Sequence, residues 1–200
     1  MEIKNCIENA LKEKSKLTKD ILAIDGMSSR FNRHLLNNLG AEFDRFNYLE
    51  IGVHKGSTYV SSLYKNNVIN SWAIDDWSQF QDQTKYFIDN CNKFNIPVNF
   101  ISSNCFTVDT KEIKDINFYF YDGNHWTDET KKGLTYFYDS FTDEFLYVVD
   151  DFEWSDVQLG VKIGIKECNL KIKYENHLES DVMNNEEGWW NGLGIYVLQK

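Results

Sequence analysis

The sequence predicts an α/β fold built on a mostly parallel sheet, with seven strands, a C-terminal antiparallel hairpin and helices on both faces. Two observations point to the parallel part. Short apolar runs alternate with stretches of helical period along most of the chain, the pattern of repeated βαβ units. The run Tyr48-Leu-Glu-Ile51 ends in the turn Gly52-Val-His-Lys-Gly56 and passes directly into a helical stretch, Ser57 to Tyr64. A third observation gives the hairpin: Lys171-Ile-Lys-Tyr174 and Leu193-Gly-Ile-Tyr-Val-Leu198 read as two strands joined by a long polar loop.

The glycine turn is where a ligand is expected. A residue without Cβ permits positive φ and close backbone approach, and the helix start behind it offers free N–H groups, with Ser57 as a cap candidate. A dinucleotide turn needs a middle glycine and a phosphate loop needs Lys after its last glycine. Here His54 holds the first of those places and Ser57 the second.

The chain has 200 residues, enough for one compact domain, and no Pro/Gly/Ser-rich linker divides it. Its formal net charge of -10 and pI near 4.9 weigh against a nucleic-acid partner, which requires a basic face. With 16% aromatic residues, which imply burial or a ligand wall, disorder is not expected. Cys6, Cys91, Cys105 and Cys168 form no C-x-x-C pair and read as reduced core thiols. Neither an apolar leader nor a bilayer-length apolar segment is present, so the expected partner is a small molecule rather than a membrane, and the expected location cytoplasmic. A homo-oligomer stays open.

Residues 1–44 are expected to form a helical extension or lid. Ile3, Ile7, Ala10 and Leu11 lie at helical spacing within 1–23, and Arg30 to Leu39 reads as a second helix ending at Gly40. The main unit follows from 45 to 200. Its second strand, Ile69 to Ile74, ends in Asp75-Asp76, about 20 residues beyond the glycine turn, where an acid receives ribose hydroxyls in nucleotide-binding folds. The alternative is that either Asp merely opens the next turn. Trp77 is a candidate wall for adenine, and Asn104, after the third strand at Val98 to Ile101, a candidate adenine contact. Phe87, Ile88, Cys91 and Phe94 give the intervening helix a core stripe.

The fourth strand, Ile116 to Tyr121, ends in Asp122-Gly-Asn-His125 and leads into a helix expected to carry Leu134, Phe137 and Phe141. The fifth, Phe145 to Val149, ends in Asp150-Asp151. Ligands of open parallel sheets bind beyond the carboxyl ends of strands, so Asp122, Asp150 and Asp151 should converge on one crevice. Crowded acids call for a cation, and carboxylate oxygens without thiolates select Mg²⁺ or Mn²⁺. Separate capping roles for the three acids are the alternative. A helix from Ser155 to Asn169 completes the unit. Trp189 and Trp190, in the loop Asn184 to Gly192, either close over a substrate or pin the hairpin.

Taken together, Glu50-x-Gly52-x-x-x-Gly56-Ser57, Asp75, Asp122-Gly-Asn-His125, Asp150-Asp151 and the terminal hairpin resemble the class I S-adenosylmethionine-dependent methyltransferases, with their Rossmann-like sheet, over about residues 45 to 200. More narrowly they resemble the small metal-dependent O-methyltransferases of catechol and antibiotic-sugar type. The resemblance implies S-adenosyl-L-methionine as cofactor, with Glu50 and the Gly52–Gly56 turn at its methionine part and Asp75 at its ribose, and position at the strand ends adds Asp76, Trp77, Asn104 and Asp122 as cofactor contacts. It implies a metal on Asp122, Asp150 and Asp151, and O-methylation of a small sugar or phenolic acceptor. The sugar enzymes carry an acid two places after the first metal Asp. Here that place is Asn124, which leaves His125 as the candidate base. Alternatives are a dinucleotide oxidoreductase or a non-catalytic module on the same sheet.

Overall fold

The computed structural model describes residues 1–180 and 186–200. Its seven strands are β1 (Phe46–Ile51), β2 (Val68–Asp75), β3 (Asn99–Ser102), β4 (Ile116–Tyr121), β5 (Phe141–Asp150), β6 (Lys171–Leu178) and β7 (Leu193–Gln199). They lie in the order β3-β2-β1-β4-β5-β7-β6. The first five are parallel, and β7 inserts antiparallel between β5 and β6, so the expected hairpin is present.

Alternation along each strand builds two cores. Phe118 and Phe120 of β4 and Leu146 and Val148 of β5 point to one face, where they meet α1 (Ile3–Leu11), α3 (Arg30–Ala41) and α4 (Ser57–Leu63). Tyr119, Tyr121, Tyr147 and Val149 point to the other, against α6 (Thr127–Thr135) and α7 (Ser155–Glu167). A parallel strand buried on both faces reads as a continuous apolar run, which is why β4 and β5 were legible. The tyrosines need partners for their hydroxyls, and Tyr119 donates to the Gly133 carbonyl at 3.0 Å.

Several boundaries differ from expectation. The first helix stops at Leu11, and Glu13 takes a positive φ of 51°, so the rest of 1–23 holds only the short α2 (Lys19–Leu22). Gly40 lies inside α3 rather than ending it, and a side chain there would strike the Ser62 carbonyl and Asn66 of the neighbouring segment. Ser57 does not cap α4. Gly56 does, at φ +86° and without a side-chain bond. Phe141 opens β5 instead of extending the helix before it, since α6 ends at Thr135 and a 3₁₀ turn at Tyr138–Ser140 intervenes. The remaining α5 (Thr84–Lys93) places Phe87 and Cys91 in the core. No helix of the described residues is long and apolar enough to cross a membrane.

Candidate active site

The strand order reverses between β1 and β4, and ligand crevices open at such a point. Here the two strand ends nearly touch. Asp122 N–H donates to the Ile51 carbonyl at 2.9 Å, and a Cβ on Gly52 would lie 1.9 Å from the Asp122 carbonyl oxygen. Gly52, at φ +83°, is therefore fixed both by space and by backbone conformation. Beyond it lies a cleft of about 440 Å³ whose walls include Gly52, His54, Asp75, Asn104, Asp122 and His125.

Asp75 holds the turn in place. Its Oδ2 accepts the N–H groups of Val53 and His54 at 2.9 Å each, and its Oδ1 accepts that of Trp77 at 2.9 Å. Asp76 lines the same wall. Trp77 is 7% exposed, bonds Thr84 through Nε1 at 2.9 Å and packs on Phe100, so only its edge reaches the cleft. Asn104 accepts the Phe106 N–H at 2.9 Å and so shapes the turn that closes this end. Gly56 and Ser57 lie behind the cleft. A Cβ on Gly56 would meet the Phe87 ring at 2.9 Å, and Ser57 Oγ lies 3.3 Å from Ser28 Oγ, beneath the segment that precedes α3.

Glu50 is fully enclosed and does not line the cleft. Tyr48 OH donates to its Oε2 at 2.5 Å and Thr58 Oγ1 to its Oε1 at 2.6 Å. Burial pushes its pKa up to about 8, against the lowering effect of those two hydrogen bonds.

On the other side of the cleft, Asp122, His125 and Asp151 each bring one ligand atom within 4.8 Å of the others. His125 Nε2 is 2.7 Å from Asp151 Oδ2 and 3.9 Å from Asp122 Oδ1. At neither contact is the ring N–H aligned for a hydrogen bond. Burial disfavours the imidazolium, but the two carboxylates outweigh that and push its pKa up to about 10. Burial also raises Asp122, to about 7. Asp150 is the exception among the three expected acids. It is 3% exposed, stands outside the group, and leaves Oδ1 without a hydrogen-bond partner among the described residues. Burial holds its carboxyl well above the usual range.

Asn124 turns its side chain to the Trp126 N–H at 3.3 Å while its carbonyl accepts from Tyr121 OH at 3.0 Å. The long loop does reach the site, because Asn191 Nδ2 donates to Asp151 Oδ1 at 2.7 Å. Trp189 is buried against Phe31, which ties this loop to α3, and Asn184 and Asn185 of the expected loop motif lie outside the described residues. Two exposed aromatic residues beside His125 escaped sequence reasoning. Trp126 and Trp154 immediately precede α6 and α7, are 65% and 41% exposed, and Trp154 meets His125 edge-on at 5.1 Å. The signal available was position, since both follow the strand-end acids by a few residues.

No family model matches the sequence, and no curated protein matches it significantly. Solved structures do match. A candidate RNA methyltransferase from Pyrococcus horikoshii superposes with TM-score 0.65 at 10% identity, over 100% of this chain and 96% of that one. TrmK from M. capricolum, solved with S-adenosylhomocysteine, gives 0.58 at 17% identity over 82% of this chain and 66% of TrmK. A candidate O-methyltransferase from Klebsiella pneumoniae gives 0.62 at 12% identity over 99% and 90%. The chain has the Rossmann-like fold of the class I S-adenosylmethionine-dependent methyltransferases.

Proposed function

We propose that this protein is an S-adenosylmethionine-dependent methyltransferase that methylates a hydroxyl of a small acceptor with the help of a divalent cation, Mg²⁺ or Mn²⁺. The observation that carries this reading is the single cleft, which has the Gly52 turn and Asp75 on one wall and Asp122 and His125 on the other. Solved neighbours holding S-adenosylhomocysteine on the same fold support the cofactor.

The residues present fit both groups. For the cofactor, Gly52 leaves backbone open at the turn, Asp75 and Asp76 stand at the tip of β2, and Asn104 and the edge of Trp77 close the far end. For the cation, two carboxylates and one imidazole converge without thiolates, and His125 Nε2 lacks an aligned partner, as it would if the three groups faced a common point. This donor set replaces Asp150 with His125. When bound, the cofactor supplies an electrophilic methyl group and the cation lowers the pKa of an acceptor hydroxyl. The chain's own part is positioning. Asn191 holds Asp151, Trp154 holds the His125 ring, and the β1–β4 junction sets both walls of the cleft at a fixed separation. The two acids beside it raise the pKa of His125, so a cation binding there competes with a proton.

The acceptor is small and cyclic in this reading. Exposed Trp126 and Trp154, on either side of His125 in this reading, would offer flat apolar faces for a ring, and a net charge of -10 opposes a polyanion. Transfer of labelled methyl from S-adenosylmethionine to panels of sugars and phenols, with Mg²⁺ or with chelator, tests it against total RNA. Chelator-sensitive labelling of a small hydroxyl compound is expected. Chelator-indifferent labelling of RNA overturns it.

A further inference from the structure

The ends of β4 and β5 carry enough acids for an all-oxygen cation site, since Asp122, Asp150 and Asp151 stand on neighbouring parallel strands. The fold does not assemble that set. Asp150 stays in β5, paired with Leu193, is 3% exposed and lies outside the group. His125 brings its Nε2 beside Asp122 and Asp151 instead, so the donors are two carboxylate oxygens and one imidazole nitrogen. No cysteine belongs to the group, and Cys105 lines the cleft from the β3 side.

The surroundings suit that nitrogen to a metal ligand. Nε2 is enclosed and makes no hydrogen bond among the described residues, although Asp151 Oδ2 is 2.7 Å away and Asp122 Oδ1 3.9 Å away. Its ring meets Trp154 edge-on at 5.1 Å. The turn that carries it is tied down as well. Tyr121 OH donates to the Asn124 carbonyl at 3.0 Å, and a Cβ on Gly123 would stand 2.9 Å from the Tyr121 ring. Asp151 is oriented from the opposite side, where Asn191 Nδ2 donates to its Oδ1 at 2.7 Å while Oδ2 faces His125. Partners of this kind fix the direction of a ligand atom before any cation arrives.

A mixed set discriminates between cations. Mg²⁺ is hard, gives up water reluctantly and is served by carboxylates and waters, so an imidazole adds little to its binding. First-row transition metals take imidazole readily, with affinities that climb from Mn²⁺ through Fe²⁺ to Co²⁺. Exchanging one carboxylate for an imidazole removes a negative charge and a hard oxygen. That exchange costs Mg²⁺ most.

We infer that His125 selects the cation, and that the site takes a first-row transition metal, Mn²⁺, Fe²⁺ or Co²⁺, in preference to Mg²⁺, through Nε2 and one oxygen each of Asp122 and Asp151. The inference rests on the cation of the proposed function and narrows it to a chemical class. It is separable from the cofactor, because Gly52 and Asp75 line the other wall of the cleft.

Metal competition on the full chain tests this. Mn²⁺ is titrated by the loss of its free-ion paramagnetic resonance signal, and Mg²⁺ and Co²⁺ by displacement at the same pH, beside calorimetry with S-adenosylhomocysteine. Mn²⁺ is expected to bind about thirtyfold or more tighter than Mg²⁺, and Co²⁺ tighter still. The spin echo of bound Mn²⁺ carries modulation from a directly bound nitrogen. His125→Gln, which offers an oxygen at similar reach, removes the modulation, weakens Mn²⁺ about tenfold or more and leaves Mg²⁺ within about threefold. Should that variant not fold, the modulation in the unsubstituted protein decides the ligand by itself. A smaller Mn²⁺ preference, an echo without nitrogen modulation, or a preference that survives His125→Gln overturns the inference and leaves a cation-assisted methyltransferase standing. If no divalent cation binds, the inference and the cation of the proposed function fall together, while the S-adenosylhomocysteine titration still reads the cofactor.

Discussion

His125 Nε2 stands 2.7 Å from Asp151 Oδ2, and the two residues come from the ends of neighbouring parallel strands. The contact is close but not aligned for a hydrogen bond, and in the proposed function both residues would hold the cation. Substitution of Asp151 by Ala removes one donor to that cation and leaves the cofactor wall untouched. Metal-dependent activity should fall by a factor of a thousand or more while S-adenosylhomocysteine affinity changes less than threefold. Parallel calorimetry and rate measurements check both. His125→Ala should weaken Mn²⁺ binding about tenfold or more, and Asp150→Ala should weaken it far less, because Asp150 lies outside the group.

Gly52→Ala should be strongly destabilising. The added Cβ meets the Asp122 carbonyl oxygen at 1.9 Å, and the residue sits at φ +83°. Backbone at such a site cannot swing aside, so a loss of about 3 kcal/mol or more is expected on denaturant unfolding. A near-neutral change would mean that the ends of β1 and β4 are further apart.

The enclosed carboxyl of Glu50 gives a pH dependence with a definite sign. Burial raises its pKa from 4.5 to about 8, so between those values the folded chain holds a proton that the unfolded chain releases. Stability therefore falls as pH rises through that window. Burial raises Asp122 and Asp150 in the same direction. Glu50→Gln, neutral at every pH, should flatten the fall between pH 5 and pH 8 without removing it. Denaturation midpoints of both proteins across this range show whether the slopes differ.

Trp154→Ala removes an exposed ring and its edge contact with His125. KM for the acceptor should rise about tenfold, with the dissociation constant of S-adenosylhomocysteine unchanged. An unchanged KM would remove the indole from the acceptor seat.

The sheet was legible because its signal is local. Runs such as Ile116 to Tyr121 are apolar on both faces, and Gly52 and Gly56 mark a turn that only positive φ allows. Position along such a sheet also marked Asp75, Asp122 and Asp151 as strand-end acids. What the sequence concealed is side-chain direction. Asp150 and Asp151 are neighbours in sequence, but the strand continues through Asp150, which pairs with Leu193, while Asp151 leaves it at φ +52°. Asp151 there reaches His125, while Asp150 stays in the strand and outside that group. Glu50 was hidden in the same way, because its partners Tyr48 and Thr58 lie on either side of the turn.

The most direct measurement is calorimetric titration of the purified protein with S-adenosylhomocysteine, with and without Mg²⁺, and with NAD as control. Binding in the micromolar range that NAD does not compete, and that Asp75→Ala weakens at least tenfold, is the expected result. No heat with S-adenosylhomocysteine under any condition, or tighter binding of NAD, would contradict the methyltransferase reading at its root.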